Sequence, residues 1–131
     1  MINKDNKTTI VGFKKLAEFG KILEKFPMII SSVDNTSSPN ICVVSDYCIL
    51  DNKKILISNN EMVNTPDNIL KNENVCLICL SSNYSGIRLR GTAKYYDSGE
   101  MFDLVKKKFE NENTTPKGAI VVEVLSVETF D

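Results

Sequence analysis

The chain has 131 residues, 42% of them apolar and 25% charged, with a formal net charge of −1. That length suits a single domain with one core across residues 1–131, and the near-neutral charge supplies no field to draw the chain to nucleic acid or an anionic membrane. There is no histidine, which removes Ser-His and Cys-His nucleophile pairs, histidine metal and haem ligands, and histidine general bases.

The opening MINKDNKTTI has no apolar run behind its lysines, so it does not read as a secretory signal. No apolar segment approaches a bilayer span, and the expected location is the cytoplasm. Residues 10–26, IVGFKKLAEFGKILEKF, set Phe13, Leu16, Phe19, Leu23 and Phe26 on one helical stripe with lysines opposite. Pro27 closes that helix. MIISSV at 28–33 is a short strand, DNTSSPN at 34–40 is turn chemistry, and ICVVSDYCIL at 41–50 is a longer β-rich run. The turn DNKK leads to a strand at 54–58, KILIS.

Residues 59–72, NNEMVNTPDNILKN, hold a short helix. Thr65 before Pro66 reads as an N-cap followed by the first helical position, where proline's missing N–H costs nothing. Its free N–H groups and positive dipole end are either an ordinary capped start or a seat for something anionic. NVCLICLS at 74–81 reads as a strand buried on both faces, and SSNYSG as a loop. IRLRGTAKYY at 87–96 alternates as a strand does, with Gly91 a bulge or a point of close approach. Residues 97–112 carry an N-cap signature and a helical stripe of Met101, Leu104, Val105 and Phe109. Lys106, Lys107 and Lys108 fall off that stripe and read as solvated. NTTPKG breaks the helix, and 119–130 is the last strand, with Ile120, Val122 and Val124 on one face.

The expected architecture is therefore mainly β: about six antiparallel strands in a small barrel, with three helices. The four cysteines, Cys42, Cys48, Cys76 and Cys79, sit in apolar runs and read as reduced core thiols. Cys76 and Cys79 have C-x-x-C spacing, but on a strand they point to opposite faces, which suits neither a redox helix start nor a zinc knuckle.

Of the 16 basic residues, only Arg88 and Arg90 are arginine, two apart on one strand and so on one face. Planar guanidinium forks are favoured where a phosphate or carboxylate is gripped in a bidentate way, or where a flat ring is stacked. Pairing with a nearby Asp or Glu on the surface is the plainer reading. If the pair and the helix start meet, they form a phosphate site, with Asn59, Asn60, Asn64 and Thr65 as its neutral donors.

The order of these segments resembles the FMN-binding split-barrel family related to pyridoxamine 5'-phosphate oxidase, in particular its short single-domain flavin-binding members. The resemblance runs over residues 16–130 through PNICVVSDYCIL, KILISNNEMVNTPDNILKNENVCLICL and IRLRGTAKYYDSGEMFDLVKKKF. It implies a homodimer with FMN in a cleft between two barrels. By position, Val43, Val44 and Ser45 would run beside the isoalloxazine ring. Ser58 and Asn59 would lie near the ribityl chain. Asn64 and Thr65 match the phosphate-gripping pair at the helix start, and Arg88 and Arg90 match strand positions that often face the cofactor. The family's usual basic residue before the threonine is Asn64 here, a change expected to weaken phosphate binding by about 1.5–3 kcal/mol. DNTSSPN stands where the family has a glycine-containing turn. The longer oxidases carry a C-terminal segment with His and Arg groups for pyridoxal phosphate; this sequence reaches Asp131 without histidine. The resemblance thus implies the fold and the flavin site, not the vitamin-B6 oxidase itself, and it disfavours the haem-handling relatives, which use histidine.

The function implied is a flavoprotein acting as a small oxidoreductase or electron carrier, with a small-molecule donor or acceptor. The flavin would carry the chemistry, and the protein would orient it and exclude solvent. No side chain is needed as a general base, and the residues name no catalytic group. Two alternatives are an enzyme of the same fold using a deazaflavin or reducing a nitro compound, and a non-catalytic ligand-binding or structural dimer in which Asn64 marks a lost flavin site.

Overall fold

The structure, a computed structural model, describes residues 8–11, 26–51, 53–80 and 85–130. The elements in chain order are β1 (Thr8–Val11), β2 (Met28–Val33), β3 (Pro39–Val44), β4 (Tyr47–Ile49), β5 (Lys54–Asn59), α1 (Asn64–Lys71), β6 (Asn74–Leu80), β7 (Gly86–Tyr96), α2 (Glu100–Phe109) and β8 (Gly118–Phe130). All strand pairings are antiparallel, in the order β3-β2-β6-β7-β8-β5-β4, with β1 on β8 beside that path. The mainly β split barrel expected from the sequence is the fold observed.

The two ends of the sheet path are β3 and β4, yet they are consecutive in the chain and joined only through Ser45 and Asp46. A two-residue link between opposite edges forces the sheet to curl until those edges meet. The 41–50 run is therefore two strands rather than one. Its halves pair with different neighbours, Ile41–Val44 with β2 and Tyr47–Ile49 with β5. The seam is fixed from the other side, where the Ser58 N–H donates to the Asp46 carbonyl at 2.9 Å. Pro39, which cannot donate to a ladder, stands at the start of the edge strand β3.

The barrel interior takes alternate residues of most strands. Met28, Ile30, Ile55, Ile57, Leu77, Leu89, Ile120 and Val122 are fully enclosed. β5 is buried on both faces, because Leu56 turns outward onto Val105 of α2. The expected stripe of α2 packs there too, with Met101, Leu104 and Phe109 partly buried around that contact and the three lysines exposed.

Several expectations need correction. Ile10 and Val11, expected to open a helix, lie in β1, paired with Glu128 and Val127. Pairing with β8 overrides the local helical period. Residues 12–25 of that expected helix lie outside the described residues. β6 is enclosed on one face only: Val75, Leu77 and Cys79 are buried, whereas Cys76 and Ile78 are half-buried. The opposite orientation expected for Cys76 and Cys79 holds. Cys79 lies against the Tyr47 hydroxyl at 3.9 Å, and burial pushes its thiol pKa up. Among the described residues, α1 and α2 both start without a side-chain cap. Val63 precedes α1, and Gly99, at φ 90°, precedes α2.

β7 and β8 pair along their full length, with one irregularity where Arg90 faces Ser126 and Gly91 faces Val124. Leu125 is the extra residue of this bulge and projects to solvent. Gly91 sits where the strands close up again, and a Cβ there would overlap the Glu123 carbonyl.

Candidate functional site

The seam of the barrel opens into a cleft of about 730 Å³. One wall is Val43, Val44 and Ser45, at the end of β3 and in the link to β4. The floor includes Ser58 at the end of β5, and the turn that follows β5 supplies Asn60, Glu61 and Met62. The facing wall is the segment before β8, with Thr114, Thr115 and Lys117. Apolar surface from the two valines and Met62 thus lies beside hydroxyl and amide groups. That combination suits a flat, partly polar ring system, and the volume is that of a small-molecule or cofactor site.

A hydrogen-bond network sets the cleft's shape. The Ser58 hydroxyl donates to Asn60 Oδ1 at 2.7 Å, and Asn60 Nδ2 donates to Asp46 Oδ2 at 2.9 Å. Asn59 points the other way and is only 2% exposed. Its Nδ2 donates to the Tyr95 hydroxyl at 2.9 Å, and its Oδ1 accepts from the Met62 N–H at 2.7 Å. Its carbonyl accepts from the Lys117 N–H at 2.7 Å. Asn59 therefore ties the turn and the segment before β8 to one point without lining the cleft. Tyr95 packs against the core, and its ring fills the space a Cβ on Gly118 would need.

Of the ten residues singled out from the sequence, five line the cleft: Val43, Val44, Ser45, Ser58 and Asn60. Asn59 stands behind it. Asn64, in the first turn of α1, is exposed and outside the lining. Thr65 is 1% exposed and accepts a long hydrogen bond from Asn40 Nδ2, at 3.4 Å, rather than capping its helix. Asn68 donates to Ser32 Oγ at 3.1 Å, so the inner face of α1 is docked on β2 and β3 by polar pairs. The segment 113–117 and the turn residues Glu61 and Met62 were not singled out as site residues. A signal did exist: a β5–β8 pairing that sets Asn59 against Gly118 places Lys117 beside the β5 turn.

Arg88 and Arg90 share the outer face of β7 and converge on one carboxylate. Arg88 donates to Glu128 from Nη2 at 3.2 Å, and Arg90 donates from Nε at 3.0 Å. Arg88 also lies over the Phe130 ring, 5.9 Å from its centroid. Neither arginine lines the cleft; the plainer reading, pairing with a surface acid, is the arrangement seen. The hydrogen bond from Arg88 and then that from Arg90 hold the Glu128 pKa below the ordinary glutamate value of 4.5, against the opposing effect of burial. A carboxylate with a lowered folded pKa stabilises fully above its unfolded value, and that contribution is lost as pH falls through the folded value. In acid titration of stability, Glu128→Gln is expected to remove this part of the slope below about pH 4.5. An unchanged acid limb in the variant would refute the role given to Glu128.

A sequence profile described as pyridoxamine 5'-phosphate oxidase matches residues 14–130. The chain belongs to the pyridoxamine 5'-phosphate oxidase family. No curated protein sequence matches it significantly. Among solved structures it is similar to HupZ of Group A Streptococcus, with a TM-score of 0.78 and 21% identity over 85% of this chain and 90% of that one. It is also similar to an FMN-binding protein from Syntrophomonas wolfei subsp. wolfei, with a TM-score of 0.75 and 22% identity over 87% of this chain and 85% of that one. An F420 reductase follows at a TM-score of 0.63 and 14% identity, over 82% of this chain and 93% of that one. At such identities these likenesses speak for the pyridoxamine 5'-phosphate oxidase fold alone. No helix among the described residues is long and apolar enough to cross a membrane.

Proposed function

We propose that the chain is a cytoplasmic, homodimeric flavoprotein that binds FMN in the seam cleft and serves as a small oxidoreductase or electron carrier. The observation that carries this reading is the cleft wall itself. Val43, Val44, Ser45 and Ser58, the positions that the family resemblance gives to the flavin, converge on one cavity of about 730 Å³. The donor set fits such a ligand, with valine surface for a ring face and hydroxyl and amide groups for its polar edge and ribityl chain. Bound flavin supplies the hydride and electron transfer chemistry. The protein's part is to orient the ring along β3, to exclude water, and to meet the polar edge with groups already ordered by the Ser58–Asn60–Asp46 network. The absence of histidine suits this division, since no general base is required of the chain.

The dimer reading is supported by the outer face of the sheet. Val43, Ile29, Ile78 and Arg88 lie side by side across β3, β2, β6 and β7, and Ile41 stands next to Val43 on the edge strand. Ile41 and Val43 are 70% and 65% exposed, a large apolar display for a surface strand. Val43 belongs to both this face and the cleft, so a second copy seated here would sit beside the bound ring.

Titration of the apo protein with FMN, riboflavin and FAD, followed by visible absorbance and fluorescence, tests the proposal. FMN is expected to bind most tightly, on a sample that sediments as a dimer. Absence of binding by any flavin would favour the non-catalytic scaffold, and a clean monomer at micromolar concentration would remove the interface. Selective binding of a deazaflavin would favour the second reading, which the likeness to an F420 reductase makes specific.

A further inference from the structure

A bound phosphate is held more tightly where a cation faces it, and the cations first suspected are engaged elsewhere. Arg88 and Arg90 both bind Glu128. The residue before Thr65 is the neutral Asn64, and Thr65 itself is buried against Asn40. One cationic side chain, Lys117, is among the residues lining the cleft. Its backbone is fixed by the N–H bond to the Asn59 carbonyl at 2.7 Å, and buried Pro116 precedes it. Among the described residues its side chain has no carboxylate partner. Thr114 and Thr115 stand beside it as neutral hydroxyl donors, and Thr114 is held by a mutual backbone pair with Asn111. The acidic residue of the same lining is Glu61, in the turn after β5.

We infer that Lys117 is the anion anchor of the cleft and takes the phosphate of the bound ligand, with Thr114 and Thr115 as its hydroxyl donors and Glu61 as an opposing charge that weakens the hold. The identity of the rest of that ligand rests on the flavin reading above. A lysine suits the task as a compact charge on a flexible stem that reaches a terminal phosphate without a bidentate match. The anchor stands on a different element from the helix start, so the phosphate is directed toward the β8 side of the cleft and away from α1.

The test compares FMN with riboflavin, which differ by the phosphate alone, in the wild type, Lys117→Gln, Lys117→Arg and Glu61→Gln. Lys117→Gln is expected to weaken FMN by about tenfold to a hundredfold, the range of one charged hydrogen bond, and to leave riboflavin within twofold. Lys117→Arg restores most of the preference. Glu61→Gln moves FMN the other way, toward tighter binding. The FMN affinity of the wild type also falls with added salt more steeply than that of Lys117→Gln. An unchanged FMN-to-riboflavin ratio in Lys117→Gln overturns the inference, as does a wild type that binds both equally. Should the wild type bind no flavin, the flavin reading fails separately. Inorganic phosphate is then titrated while the amide signals of residues 114–117 are followed by NMR. Shifts that vanish in Lys117→Gln support the anchor, and a wild type without shifts overturns it.

Discussion

Replacing Asn59 by alanine is expected to destabilise the fold by about 2–4 kcal/mol and to weaken ligand binding in the cleft at the same time. The side chain is 2% exposed and satisfies two groups at once, the Tyr95 hydroxyl and the Met62 N–H. Alanine removes both partners and leaves these part-buried groups without them. A buried donor or acceptor left without a partner costs more than the net gain from making the bond. The loss also propagates, because the turn that Asn59 closes carries Asn60, Glu61 and Met62 into the cleft. Urea unfolding at constant m-value gives the stability term, and flavin or phosphate titration gives the binding term. Asn59→Asp keeps an acceptor for the Met62 N–H and should be milder. A loss below about 1 kcal/mol in the alanine variant, less than one unsatisfied group should cost, would mean that the turn is held by other contacts.

Gly91→Val is expected to cost about 3 kcal/mol or more, at the upper end of what overpacking does. A Cβ at this position would overlap the Glu123 carbonyl and crowd Val122, both on the paired strand β8. The obstacle is backbone, which cannot swing aside as the tip of a side chain does. Relief therefore means parting β7 from β8 just beyond the bulge, where the longest pairing of the sheet resumes. Thermal unfolding of Gly91→Ala and Gly91→Val should show a graded loss, larger for valine. Equal stability of wild type and valine variant would show that the strands can separate there at no cost.

Much of this fold was readable because its strands obey local rules. β7 alternates over most of its length, Gly91 stands out within that strand, and the α2 stripe has helical spacing. The division of ICVVSDYCIL was not readable, since no glycine or proline marks it. It follows from pairing at opposite edges of the sheet, a tertiary fact. The two arginines were conspicuous, but their partner Glu128 lies 38 and 40 residues away, so residue spacing alone left their role open. Thr65-Pro66 carries a sound local signature for a helix start, but α1 begins at Asn64 with Val63 before it, so Thr65 is its second residue and not its cap. Burial decided otherwise for the threonine hydroxyl, which turns to Asn40. The wall at 113–117 looked like a helix breaker because its value depends on a neighbour 58 to 62 that only the β5–β8 register supplies.

The position of β8 bears on how the protein is made. One edge of β8 takes β7 along its length, and the other is divided between β5 at residues 118–123 and β1 at 127–130. All three partners leave the ribosome before it. Until β8 docks, the β2–β3 and β6–β7 hairpins can form, yet β1, β5 and β7 still present open strand edges. Open edges recruit other chains. A folding intermediate without docked β8 therefore exposes three strand edges at once, and any change that loosens β8 makes the chain prone to aggregate.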